Sequence, residues 1–224
     1  MAGLTTIIAP NVLENRENTE QQLTSLAIDD RYTIRTQLIY QFAHVLTSIY
    51  PEYPFSKYEN NDVKVFLEGA IYNIALEKIG REVLRIAGLA ILEKVDKKQI
   101  SDWLFSTDGE FVILIYKKST QDVFVLNNGL AHLPLYLYAS DNKVVLSRDL
   151  RTIVKLEHLS DFDRLGIAQY FMFGNPAGTR TLFNNVIRLE PATLVRFNCK
   201  GFNYELIQIN PLNFEEKLHN EIEL

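Results

Sequence analysis

Residues 108–154 read DGEFVILIYKKSTQDVFVLNNGLAHLPLYLYASDNKVVLSRDLRTIV, and this stretch decides the fold class. Four β-rich runs, EFVILIYKK, DVFVLNN, LPLYLYAS and KVVLSRD, are separated only by STQ, GLAH and DN. Connections this short join antiparallel neighbours, because parallel strands need a crossover of roughly a dozen residues or more. The spacing therefore predicts an antiparallel meander.

Working outward, LTTIIAP near the N-terminus is β-branched and reads as a strand stopped by Pro10. NVLENRENTEQQ reads as a polar loop. From Arg35 to Tyr50 the apolar residues Leu38, Ile39, Phe42, Val45, Leu46 and Ile49 recur at helical spacing, which predicts a helix. PEYPFSKYENN breaks that pattern with two prolines and a polar cluster. DVKVFLEG reads as a strand, and Ile74 to Val95 as a helix in which Gly80 and Gly88 mark a kink or break.

On the C-terminal side, Asp161 or Asp163 is placed to cap a helix running to about Phe173, with Gly174 placed to end it. Two last strands fall near ATLVRFN and FNYELIQI. The sum is an α+β domain over residues 1–210 built on antiparallel sheets, followed by an acidic tail, NFEEKLHNEIEL, within residues 211–224.

Composition narrows the function. The chain has 224 residues, 47% of them apolar, enough for a substantial core. A formal net charge of -5 with scattered basic residues argues against nucleic acid or anionic lipid as partner. The single cysteine, Cys199, excludes an intramolecular disulfide and a thiolate zinc cluster, which fits a reducing, cytoplasmic setting. No run approaches the roughly 18 apolar residues of a membrane-spanning helix.

The 108–154 stretch also resembles the glutaminase domain of glutamine-dependent asparagine synthetases. In that family a DGxFAFA strand, an ARDRxGIKPLYY strand and an FASEL strand follow in this order. Downstream, GIAQYFMFGNPAGTRTLFNNVIRLEPATLVRF resembles the family's helix, its PRTLF turn and its LxPG strand; upstream, FLEGAIYN resembles FNGEIYN. The resemblance implies a four-layer αββα sandwich of the N-terminal-nucleophile hydrolase type, in agreement with the antiparallel reading.

It also implies a chemistry whose residues are largely missing. An active member releases the amide nitrogen of glutamine as ammonia through a thioester on an N-terminal cysteine, whose own amine serves as base. Here that position is Ala2, followed by the family's Gly3. The family's oxyanion-hole Asn is replaced by Glu68, a carboxylate that would repel a developing oxyanion. Gly69 is retained and the next family Glu is Ala70. The Arg of the family's RGPD loop and the Asp of its SDTE-like motif have no counterpart; the latter region is LRIAGLAILEK. Ala2, Gly3, Glu68, Gly69 and Ala70 thus mark the expected place of a vestigial glutaminase pocket, with no catalytic residue and no metal site.

The family's ARDRxGIKP run becomes LNNGLAHLP, with Asn127, Asn128, Gly129 and His132 in charged positions while Pro134, Leu135 and Tyr136 remain. Other candidate nucleophiles are weaker. Cys199 stands at a strand end with no histidine within ten residues, and reads as a small apolar side chain. Thr5 and Thr6 would need further processing to become N-terminal. His44, His132, His158 and His219 are dispersed, with no pair at the i, i+4 spacing of a helical metal site.

The expectation is a decayed glutaminase-like domain that serves as structural partner to an ATP-dependent, amide-forming domain in cis or in trans. ATP and magnesium belong to that partner and not to this chain, residues 211–224 resemble the linker into it, and a homodimer is a further partnership that the resemblance allows. The competing expectation is a stand-alone binding or interaction module that uses the vacated pocket, where Glu68 would favour a cationic group, and a third is an active glutamine amidotransferase working through other residues.

Overall fold

The computed structural model describes residues 2–210, so the predicted tail at 211–224 lies outside the described residues. Two six-stranded antiparallel sheets form the centre. The first runs β10-β8-β9-β1-β3-β2 and the second β12-β11-β7-β6-β5-β4. In chain order the elements are β1 (Gly3–Ile8), α1 (Arg16–Thr24), β2 (Thr33–Tyr40), β3 (Ala43–Ile49), β4 (Phe55–Glu59), β5 (Val63–Ile71), α2 (Leu76–Ala90) and α3 (Lys97–Ser106). There follow β6 (Gly109–Lys117), β7 (Val123–Asn127), β8 (Tyr136–Ser140), β9 (Lys143–Ser147), α4 (Leu150–Glu157), α5 (Arg164–Phe173), β10 (Val186–Arg188), β11 (Thr193–Asn198) and β12 (Asn203–Gln208).

Side-chain alternation explains the layering. Along β6, Val112, Leu114 and Tyr116 enter the core between the sheets with Leu4, Ile8 and Val45 of the other sheet. Phe111, Ile113 and Ile115 point the opposite way, onto Val83, Ile86 and Ala87 of α2 and Trp103 of α3. On the far side of the first sheet, Ile7 and Leu46 pack with Leu23 of α1 and Ile153 of α4. Strands buried on both faces have to be apolar throughout, which is why EFVILIYKK shows no polar alternation. The result is the expected four-layer αββα sandwich.

The meander is divided between the layers. β6 and β7 pair in the second sheet, whereas β8 and β9 pair in the first. Asp163 accepts hydrogen bonds from the Leu165 and Gly166 amides at 2.9 and 3.0 Å, and Gly174 closes α5 at φ 79°, as predicted from the sequence.

Other segments depart from expectation. The segment 35–50 is a hairpin, β2 and β3, joined at Gln41 and Phe42. A bulge between Thr36 and Leu38 shifts the side-chain phase by one residue. The spacings that mimic a helix arise in β3, which is buried on both faces, Val45 in the core between the sheets and Leu46 in the core beneath α1 and α4, so that apolar residues stand side by side along it. The polar stretch NVLENRENTEQQ is a loop only as far as Asn15; from Arg16 it forms α1, which buries only Thr19 and Leu23 and so lacks an apolar stripe. PEYPFSKYENN contains β4, an edge strand whose outer positions are polar because they face solvent. α2 runs unbroken through Gly80 and Gly88; at Gly80 a Cβ would lie 2.8 Å from the Tyr58 ring, so the glycine permits close packing on β4. α3, α4 and β10 were not anticipated.

Candidate functional site

β1 and β5 lie in different sheets, and the N-terminal end of β1 meets β5 at Glu68. The Glu68 side chain, 1% exposed, accepts the Leu4 amide on Oε2 at 2.9 Å. Its Oε1 accepts the Tyr53 hydroxyl at 2.5 Å and the Arg148 Nε at 3.0 Å. Arg148, 6% exposed, also donates from Nη1 to the Pro134 carbonyl at 2.5 Å, and its amide donates to the Leu4 carbonyl at 3.0 Å. Burial, followed by the adjoining Glu68 charge, pushes the Tyr53 phenol far above its ordinary value, so the hydroxyl stays a donor.

Ala2 is buried, 8% exposed, directly ahead of this cluster. Gly3 adopts φ 142°, and a Cβ there would stand 2.5 Å from Cβ of Arg148 and 2.9 Å from Oε1 of Glu68. The space beside Gly3, bounded by Thr5, Ser48, Ser147, Arg148 and Asp149, amounts to about 10 Å³. That volume is at the lower limit for one water molecule. Burial raises the Asp149 carboxyl, but the hydrogen bonds and positive charge around it, the Arg151 side chain first among them, together outweigh this and hold it below the usual carboxylate range.

The structure therefore brings Ala2, Gly3, Glu68 and Gly69 to one place. Gly69 adopts φ 96°, a Cβ there would approach the Glu110 carbonyl oxygen to 1.9 Å, and its amide donates to the Pro54 carbonyl at 2.8 Å. The Gly69 amide is thus committed to β-sheet packing. Ala70 sits opposite Glu110 in the β5–β6 register. The expected appetite of Glu68 for an external cation is not what the geometry offers, because Arg148 already supplies the cation from within the chain.

Tyr53 and Arg148 were not singled out in the sequence. The available signal was a pair of opposite charges at the ends of otherwise apolar strands, FLEG and VVLSRD. The other candidates have structural roles. Asn128 binds the Gly109 carbonyl at 3.0 Å and the His132 side chain at 2.8 Å, and Asn127 bridges the Glu190 carbonyl and the Thr193 amide. Thr5 bonds Ser147 at 2.9 Å, while Thr6 is fully buried. Cys199 is 3% exposed, and burial pushes its thiol up to about 12, which keeps it protonated and inert. His158 caps α4 in the left-handed conformation, and His219 lies outside the described residues. Among the described residues no group of three His, Cys, Asp or Glu side chains could hold a metal ion, and no helix is long and apolar enough to cross a membrane.

Residues 1–206 match the family model described as a glutamine amidotransferase domain. The chain belongs to that family. Among solved structures this amidotransferase domain is similar to one described as the allosteric regulatory enzyme of purine biosynthesis, with a TM-score of 0.52 and 13% identity, over 94% of this chain and 49% of that one. A second, glutamine phosphoribosylpyrophosphate amidotransferase from B. subtilis complexed with ADP and GMP, gives a TM-score of 0.44 and 11% identity over 95% and 44%. The domain spans about half the length of these chains, and at 13% identity the likeness to the first concerns the fold. No curated protein matches the chain.

Proposed function

We propose that this amidotransferase domain has lost its glutaminase chemistry and is retained as the structural partner of an ATP-dependent, amide-forming domain in an asparagine-synthetase-like protein. The observation that carries the proposal is the alanine at position 2, where the chemistry requires a thiol on the N-terminal residue. A methyl group cannot attack a carbonyl. The buried Glu68 carboxylate adds support, since it already takes up the Leu4 amide, the Tyr53 hydroxyl and the Arg148 Nε, the donors nearest to where an oxyanion would have to be stabilised. The loss of the nucleophile together with both substrate anchors is more than a single substitution would produce.

Retention of the fold without its chemistry calls for a partner. α5 buries only Gly166 among its residues, while Phe171, Met172 and Phe173 are 81%, 72% and 68% exposed. An exposed aromatic run of this kind favours a protein contact. ATP and magnesium would act in the partner domain, in cis or in trans, in a cytoplasmic setting.

A stand-alone binding module is the second reading, and the internal pairing of Glu68 removes its original basis in the vacated pocket. An active amidotransferase would need a nucleophile other than the residue at position 2. Incubating the protein with glutamine and measuring ammonia tests the loss of chemistry: release at the buffer rate is expected, and glutamine-dependent release above it refutes the proposal. Immunodetection in extract of the source cells tests the cis partner, for which a species about twice this length is expected.

A further inference from the structure

A further cavity among the described residues has neither Ala2 nor Glu68 in its lining. β2 is the outer strand of the first sheet and β4 the outer strand of the second, and between these two edges opens a cleft of about 500 Å³. That is within the range of small-molecule sites, about 300–1,000 Å³. Its walls combine three kinds of group.

The first is positive charge. Arg35 and Lys57 line the cleft from the two facing edges, both exposed. Neither head group has an ion pair or hydrogen bond among the described residues; the Lys57 ammonium lies 6.0 Å from the Phe66 ring. Glu52, on the rim turn, is the one carboxylate in the lining, so the charge of the walls is net positive.

The second is a fixed aromatic face. Tyr50 and Tyr53 meet edge to face at 5.2 Å, with Phe55 beside them in the lining. Tyr53 is held at its other end by the buried Glu68, so this wall is already in place before any ligand arrives. The third is an orphaned acceptor. Gln37 donates from Nε2 to Thr47 at 2.6 Å, but its Oε1 is buried without a partner. A buried amide oxygen of this kind calls for a donor.

From these three features we infer that the cleft between β2 and β4 binds an N-acylated aromatic carboxylate, the chemistry of a peptide's carboxyl-terminal residue. The carboxylate meets Arg35 and Lys57, the ring lies against Tyr50, Tyr53 and Phe55, and the ligand's amide N–H draws the Gln37 amide toward the cleft, so that its now buried Oε1 gains a donor. The inference is independent of the loss of glutaminase chemistry, because none of these residues belongs to the Ala2–Glu68 cluster except through Tyr53. Ammonia release from glutamine would leave it standing.

The test is a titration of the 15N-labelled protein with N-acetyl-L-phenylalanine, followed by amide chemical shifts. L-phenylalaninamide, which keeps the ring and reverses the charge, is the control ligand. Saturable shifts confined to residues 33–37 and 49–57 are expected with the first compound alone, and Arg35→Gln or Lys57→Gln weakens the affinity about fivefold or more. Phe171→Ser, on the exposed α5 face, leaves the affinity unchanged. Arg35 and Lys57 are exposed, so both variants retain the wild-type fold, which the undisturbed remainder of the spectrum checks. The assignment is overturned if no saturable shift occurs, if phenylalaninamide binds equally well, or if neither charge substitution weakens binding.

Discussion

Arg148 and Glu68, eighty residues apart in sequence, form an ion pair of 3.0 Å that is almost completely removed from water. Isolated buried charges are costly, and this pair is tolerated because its remaining capacity is used by the Leu4 amide, the Tyr53 hydroxyl and the Pro134 carbonyl. Glu68→Ala would leave the buried guanidinium without its counter-charge, and the Leu4 amide and Tyr53 hydroxyl without an acceptor. Urea unfolding should show a loss of about 3–5 kcal/mol. Replacing both members, as Glu68→Leu with Arg148→Met, should recover more than half of that loss. Equal stability of the single variant and wild type would mean that the pair is not formed in solution.

Restoring the thiol alone should not restore the chemistry. Ala2→Cys places a nucleophile beside the Glu68 carboxylate, which already accepts the Leu4 amide, the Tyr53 hydroxyl and the Arg148 Nε, so an oxyanion formed there would find the nearby donors committed. The space beside Gly3, about 10 Å³, is also too small for a substrate. Ammonia release by Ala2→Cys should therefore remain at the wild-type level, provided mass spectrometry confirms removal of Met1. A marked rise from this single change would show that Glu68 does not block the site.

Two glycines with opposite surroundings should respond oppositely to alanine. At Gly69 a Cβ would collide with the Glu110 backbone at 1.9 Å in a conformation, φ 96°, that L residues avoid. The expected cost is about 4 kcal/mol or more, visible as insolubility or a large fall in Tm. At Gly88, inside α2, a Cβ would meet nothing within 4 Å. Gly88→Ala should raise stability by about 0.5–1 kcal/mol through helix propensity and the lower entropy of the unfolded chain.

The same contrast shows how much of the molecule the sequence reveals. β6 to β9, β11, β12 and the caps of α5 were legible because short turns and local cap residues specify them within a few positions. β2 and β3 were not, because β3 is buried on both faces and its adjacent apolar residues Val45 and Leu46, following the short turn out of β2, hide the period of two. α1 was hidden by a nearly polar surface. At the site, Ala2, Gly3, Glu68 and Gly69 could be singled out one by one. Their connection through Arg148 and Tyr53 could not, since contacts across eighty residues leave no trace in local spacing.

His44 gives the domain a defined dependence on pH. Its ring is 1% exposed, and Nε2 lies 2.8 Å from the Thr36 hydroxyl, which is itself 2.6 Å from Glu20 Oε1. An ionised carboxylate only accepts, so Thr36 donates to Glu20 and the His44 Nε2–H donates to Thr36. Nδ1 is then a bare acceptor, buried without a partner. Burial lowers the His44 pKa from 6.5 to about 4, against the pull of Glu20. Between these values the unfolded chain binds the proton more readily than the folded one. Stability from neutral His44 is therefore fully present above pH 6.5 and lost as pH falls toward 4, a change of about 3 kcal/mol. Glu20, whose carboxyl is lowered chiefly by the Thr36 hydrogen bond although burial opposes it, loses stabilisation in the same direction at still lower pH. The difference between wild type and His44→Gln isolates the imidazole. Urea unfolding at pH 7, 5 and 4 should show wild type losing about 3 kcal/mol more than the variant, and parallel pH profiles would mean that His44 is hydrated or charged in the folded state.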